Sequence, residues 1–160
     1  MPLLFAFFAL QRRKQGLCDM PLNHYGEDAP RSLSDLVLLE LDMKWCRESG
    51  TLAPLSVPMQ LGAVLAFDDA GRYVPYMTEL TPAVEAAEGV EAAPASYADE
   101  AVAVLISQKI PASEEEQPCT VLRRGACVAT GNLGWLESVS EEQRKTALGQ
   151  LAALGIVSKE

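Results

Sequence analysis

The 160-residue chain has the length of one ordinary domain, and its 49% apolar and 22% charged residues exclude a wholly disordered protein. Its formal net charge of −9 argues against DNA or RNA as a partner, because nucleic-acid binding draws its affinity from Lys and Arg. Between residues 67 and 116, eleven acidic residues stand against Arg72 and Lys109, a balance typical of a solvated face.

The first residues, "MPLLFAFFALQRRKQG", place the basic residues 12–14 after an apolar run, the reverse of their order in a secretion signal. The run from Leu3 to Leu10 is also too short to span a bilayer, so no membrane partner is expected. We expect residues 1–19 to be one of two things. They are either a dispensable amphipathic tail, or the result of a start codon assigned too early, in which case Met20 is the true first residue.

Residues 20–50 are predicted to form an extended N-terminal arm, and residues 51–160 the main domain. The arm is polar up to Ser34, and "SLSDLVLLELDMKW" follows. Partial alternation in that stretch suits a half-buried strand, although a short helix capped by Ser34 or Asp35 fits as well. The apolar alternate positions are Leu33, Val37, Leu39, Leu41 and Met43.

A β-hairpin is predicted within "GAVLAFDDAGRYVPY". Strands from Gly62 to Phe67 and from Arg72 to Tyr76 flank "DDAG", in which Gly71 can adopt a positive φ. Pro54 and Pro58 confine the preceding stretch to a loop or a sheet edge.

The middle of the chain alternates loops with one strand. The Ala-, Glu- and Pro-rich stretch from Thr81 to Ser96 is predicted to be an exposed loop, and residues 111–118 an acidic loop. Between them, "ADEAVAVLISQKI" is predicted to be a central strand, in which Val102, Val104 and Ile106 alternate with smaller residues.

The C-terminal third predicts a second hairpin and a helix. "CTVLRRGACVATGNL" is predicted to turn near Arg124 and Gly125. Ser138 or Ser140 fits a helix N-cap with a capping box, Gly155 ends the helix, and Ile156 begins a last short strand.

Catalytic groupings are weak, and we expect no catalytic, metal or cofactor site. Cys127 or Cys119 with His24 could supply a thiol nucleophile and a base, but nothing beside them suggests activation. The spacing of the four cysteines fits neither zinc nor a disulfide framework. Arg123 and Arg124 suit a charged strand edge better than an anion site.

From Gly62 onward the chain resembles the lambda-type head decoration proteins of tailed bacteriophages. The resemblance is carried by "GAVLAFDDAGRYVPY", "ADEAVAVLISQKI" and "TVLRRGACVATGNLGWLESVSEEQRKTALGQLAALGIV". In the last stretch, a strand, the turn glycine Gly125 and a second strand precede a Leu-Trp region, a helix opened by Ser-x-Glu and a terminal strand. The long apolar stretch before Gly62 and the loop from Ala83 to Ala98 depart from the family pattern.

The resemblance implies an α+β fold: a small, β-rich compact domain with short hairpins, one C-terminal helix and an extended N-terminal arm. It also implies a non-enzymatic homotrimer, assembled in the host cytoplasm, that binds the major capsid protein on the outside of the mature capsid and stabilises it. By analogy, Leu33, Val37, Leu39, Leu41 and Met43 would contact the capsid. A cysteine-dependent hydrolase and a tail or connector component are the alternatives.

Overall fold

The computed structural model describes residues 32–81 and 95–160, which form twelve strands, three α-helices and one short 3-10 helix. The α-helices are α1 (Leu33–Leu36), α2 (Met43–Cys46) and α3 (Glu141–Ala153). The first six strands are β1 (Val37–Glu40), β2 (Arg47–Leu52), β3 (Met59–Gln60), β4 (Val64–Phe67), β5 (Tyr73–Pro75) and β6 (Glu79–Thr81). The other six are β7 (Ser96–Tyr97), β8 (Ala103–Leu105), β9 (Lys109–Ile110), β10 (Gln117–Leu122), β11 (Ala126–Ala129) and β12 (Ile156–Lys159). The 3-10 helix is Thr130–Asn132.

Five strands close into a barrel in the order β10-β2-β5-β4-β8. The longest ladder in it joins β10 to β2, antiparallel from the Gln117–Leu52 pair to the Leu122–Arg47 pair. The contact between β2 and β5 is parallel, and the other four contacts are antiparallel. Because the barrel closes on itself, it leaves no row of unpaired backbone groups at an edge.

A separate three-stranded sheet has the order β1-β11-β12. Strand β1 is antiparallel to β11, and β12 is parallel to β11. The remaining strands form two short antiparallel pairs, β3 with β9 and β6 with β7.

Two apolar clusters fill the domain. The larger one unites residues of the barrel, of α3 and of the three-stranded sheet, among them Val104, Leu151 and Ile156. The other contains Leu65 and Leu105, which lie beside members of the larger cluster along β4 and β8. Strand β8 is therefore buried on both faces, so the predicted central strand exists, although it covers only Ala103–Leu105 of the predicted stretch.

The hairpin predicted around "DDAG" is confirmed. Strands β4 and β5 pair through the Phe67–Tyr73 register. The Asp68 carboxylate accepts the N–H groups of Ala70 at 3.0 Å and Arg72 at 2.8 Å, and Gly71 has φ +76°. This is the turn chemistry that an Asp and a Gly supply together.

The second predicted hairpin is wrong. Both of its strands exist, as β10 and β11, and the chain turns between them at Gly125 with φ +62°. They do not pair with each other, because β10 joins the barrel and β11 joins the three-stranded sheet. A glycine with a left-handed backbone fits a tight hairpin and also a corner between two sheets. The turn therefore does not determine which strand pairs with β10 or with β11.

The C-terminal helix is confirmed, with Ser140 as its N-cap. The Ser140 hydroxyl accepts the Gln143 N–H at 3.3 Å, and the Gln143 side chain accepts the Ser140 N–H at 2.7 Å. Gly155 follows the helix with φ +81°. The predicted fold class, a β-rich α+β domain with one C-terminal helix of several turns, is therefore confirmed.

The described end of the predicted arm, residues 32–50, lies in regular elements of the domain. Helix α1 is capped by Ser32, not by the predicted Ser34 or Asp35, and β1 follows it, so the helix and strand interpretations each held for part of the stretch. The boundary drawn at residue 50 falls inside the barrel strand β2. Residues 1–19, the first part of the arm and residues 82–94 of the predicted loop lie outside the described residues.

Ser140→Ala should lower the free energy of unfolding by about 1 kcal/mol, because it removes the acceptor for a free N–H group at the start of α3. Urea denaturation of the full chain measures the change. Ser138→Ala is the matched control and should stay within about 0.5 kcal/mol of the parent, since Ser138 is exposed and lies before the cap. Equal losses in the two variants would contradict the assignment of the cap.

Candidate interaction surface

Exposed large apolar side chains are concentrated in two short segments of the described chain. Of the eight large hydrophobic residues exposed in the described chain, all but Tyr97 belong to residues 38–45 or to residues 154–157. We call these seven side chains the apolar surface: Leu38, Leu39, Leu41, Met43, Trp45, Leu154 and Val157. Single exposed hydrophobics are ordinary, but a group of this kind in two short segments is a candidate interaction surface.

A break in the register of β1 exposes two successive leucines. Val37 pairs with Val128, but Leu39 pairs with Cys127, so Leu38 is an extra residue between them. Regular pairing would place Leu39 opposite the buried Ala126 and turn it towards the core. The bulge instead leaves Leu38 50% and Leu39 61% exposed.

The open face of the three-stranded sheet contains a shallow depression of about 210 Å³. It is lined by Leu39, Leu41, Ala126, Cys127, Val157 and two glycines. The pairs Leu39–Cys127 and Cys127–Val157 form one row across the sheet. An apolar side chain of another molecule would find only apolar neighbours there.

Arg123 and Arg124 are bound within the domain and do not form an anion site. Both guanidinium groups pair with the Glu48 carboxylate of β2, Arg123 at 3.5 Å and Arg124 more closely. Arg123 also donates to the Val102 carbonyl at 2.6 Å and lies 5.0 Å from the centre of the Phe67 ring. The two arginines thus join the β10–β11 turn to the barrel.

The structure places the five predicted contact residues in two environments. Leu33 and Val37 pack against the large apolar cluster of their own domain. Leu39, Leu41 and Met43 are 61%, 71% and 60% exposed. Their exposure is compatible with a contact, and the capsid contact itself stays a prediction.

The other members of the apolar surface were missed. Leu38 depends on the bulge, and Leu154 and Val157 depend on the path of the chain after α3. Trp45 depends on the glycine beneath its ring. The only sequence signal for Trp45 was a large aromatic beside charged residues.

The cysteine nucleophile considered from the sequence gains no support. Cys119 is buried, and burial raises the pKa of its thiol to about 11, so the thiol stays protonated at neutral pH. Cys127 is partly exposed on the sheet, and Cys46 donates its S–H to the Gly125 carbonyl at 3.2 Å. Cys18 and His24, the base considered earlier, lie outside the described residues.

Trp135 anchors the approach to α3. Its ring meets Tyr76 edge to face at 6.2 Å, and the Arg144 guanidinium lies 5.9 Å from its centre. Within residues 32–81 and 95–160, His, Cys, Asp and Glu form no group of three that could hold a metal ion. No helix in the same part of the chain has the length and apolarity to cross a membrane.

Comparison with known proteins identifies the family. The model of a family described as bacteriophage lambda head decoration protein D matches residues 27–156. The chain belongs to this family. No curated protein matches the chain. The family is that of a structural component of the phage head, so membership indicates a role in decorating the capsid of the virion.

The protein should lose stability between pH 9 and pH 11, in part through Cys119. The folded thiol has its pKa raised from 9.0 to about 11, so its contribution is complete below pH 9 and disappears as the pH rises through 11. Under reducing conditions, the parent should lose stability more steeply over this window than Cys119→Ala.

The pKa values of Tyr73 and Tyr76 are also raised, mainly by burial, and both proteins share that main contribution; Cys119 is only a smaller cause of the Tyr73 shift. The difference in slope between the two proteins is therefore the measurement, and urea midpoints at successive pH values supply it. Parallel slopes would show that Cys119 does not contribute.

Proposed function

We propose that this protein binds the outside of the mature phage capsid as a homotrimer, attached to the major capsid protein, and stabilises the shell. Assembly takes place in the host cytoplasm. The observation that carries the proposal is the apolar surface, confined to two short segments of a chain that belongs to a head decoration family. The work is done by binding and needs no catalytic group.

Within the apolar surface, we assign the capsid contact to Leu39, Leu41 and Met43. They are the exposed members of the set that the family resemblance suggested. Leu33 and Val37 hold α1 and β1 against the domain core, and so support the contact without making it. Exposed Leu and Met side chains gain free energy when an apolar partner removes them from water, at about 25 cal/mol per Å².

Trimerisation makes a modest contact sufficient. Three linked copies bind neighbouring sites at a high effective concentration, so the overall affinity exceeds that of one contact by orders of magnitude. A ligand that binds only the expanded lattice shifts the equilibrium towards that lattice. Repetition over the shell therefore stabilises the shell.

The contact is best tested by substitution. Removing residues 23–43 would delete an arm, but it would also remove β1 and the fully buried Leu36, and would damage the domain. Charged substitutions at exposed positions avoid this difficulty, because the parent side chains already face water.

Leu41→Asp and Met43→Asp should each weaken binding to undecorated expanded heads by about tenfold or more, because a carboxylate would lose its water in an apolar contact. Sedimentation of heads mixed with increasing amounts of protein gives affinity and occupancy, and the parent should saturate in multiples of three. Native mass spectrometry of each variant should still show a trimer.

Tyr97→Asp is the matched control, since Tyr97 is 45% exposed and lies outside the apolar surface. It should bind as the parent does. Parent-level occupancy by both Leu41→Asp and Met43→Asp would refute the assigned contact. A parent that stays monomeric and ignores expanded heads would refute the function itself.

A further inference from the structure

The segment Leu41–Trp45 exposes three large apolar side chains and has little structure of its own to hold them. Helix α2 is a single turn of four residues, capped by the Asp42 carboxylate, which accepts the N–H groups of Lys44 and Trp45. One turn of helix is unstable in isolation, because nucleation costs more than its few hydrogen bonds return. Something outside the segment must fix its conformation.

The Arg124–Gly125 turn binds the segment at both ends. The Gly125 carbonyl accepts the Leu41 N–H at 3.1 Å and the Cys46 S–H at 3.2 Å. The Arg124 guanidinium donates to the Trp45 carbonyl at 3.2 Å and lies 5.9 Å from the centre of the Trp45 ring. The Arg124–Glu48 ion pair ties the same guanidinium to β2.

Gly125 also provides the space on which the Trp45 ring lies. A Cβ atom at this position would overlap the ring, and the φ of +62° is one that other residues rarely adopt. The residue is therefore restricted to glycine twice, once by its own backbone and once by its neighbour. The second restriction concerns the position of α2, since Trp45 belongs to that helix.

We propose that the Arg124–Gly125 turn is a positioning element that holds Leu41, Met43 and Trp45 ready for binding. The inference rests on the proposed function, in which Leu41 and Met43 meet the capsid protein. A side chain fixed before binding loses less conformational entropy when it binds, so the turn raises affinity without touching the partner. Arg124 suits this task because its planar group can stack, donate and pair at once.

Arg124→Met tests the proposal in the full-length protein, since it keeps the length of the side chain and removes its charge and donors. Hydrogen exchange of the peptide covering residues 41–46 should quicken by about tenfold, while β4 and β8 keep their protection. Affinity for expanded heads should fall by about tenfold with the trimer intact. Arg124→Lys, which retains the ion pair, should give intermediate values.

Arg123→Met is the matched control, because it removes the same charge one residue away and leaves the contacts with Trp45 in place. Its exchange in residues 41–46 and its affinity should remain at parent level. Gly125→Ala is the second variant and should repeat the effect of Arg124→Met through displacement of the ring.

The outcomes separate this inference from the proposed function. If Arg124→Met and Gly125→Ala leave exchange at residues 41–46 unchanged, the turn does not position the segment. If exchange quickens and Leu41→Asp weakens binding, but Arg124→Met does not, positioning has no role in affinity and the inference is overturned. If Leu41→Asp and Met43→Asp both bind normally as well, the assigned capsid contact has failed, and this inference with it.

Discussion

The backbone at Gly125 has a left-handed conformation, and the barrel and the three-stranded sheet are joined at that residue. Before it, β10 completes the barrel against β2, and Glu48 of β2 pairs with both arginines of the turn. After it, β11 becomes the middle strand of the sheet. The Gly125 carbonyl also binds the two ends of the segment that leads from β1 through α2. The placement of Leu41, Met43 and Trp45 therefore depends on one residue without a side chain.

Turn and capping residues correctly predicted the β4–β5 turn and the start of α3, because contacts between residues close in sequence determine both. Asp68 and Gly71 define a turn through contacts within a few residues, and Ser140 with Gln143 defines the start of α3 in the same way. Pairing partners are a different matter, because they depend on contacts between distant residues. The β10–β11 turn was located correctly, yet its strands joined separate sheets, and the polar "RESGTL" of β2 has no alternation to mark a barrel strand.

Only part of the candidate surface could be predicted from the sequence, for a related reason. Alternation from Leu33 to Met43 identified the stretch, but a uniform period of two assigns all five residues to one face. The bulge between Val37 and Leu39 breaks that period, so Val37 turns inward and Leu39 outward. Trp45 and Val157 join the surface through contacts with Gly125 and Cys127, far from both in sequence. The residue pattern within one segment does not predict contacts with distant segments.

On the proposed function, the acidic charge acts while the protein is free in solution, and the apolar surface acts when the protein binds the capsid. Free copies must remain dispersed although each exposes several large apolar side chains, and a net charge of −9 makes them repel one another before those side chains meet. This repulsion is screened beyond about 8 Å at physiological ionic strength, so it does not prevent approach to a partner with complementary shape. Valency then multiplies a contact too small to hold one copy firmly. A larger apolar surface would strengthen each contact but favour aggregation in solution, so a small, rigidly held surface combined with trimerisation meets both requirements.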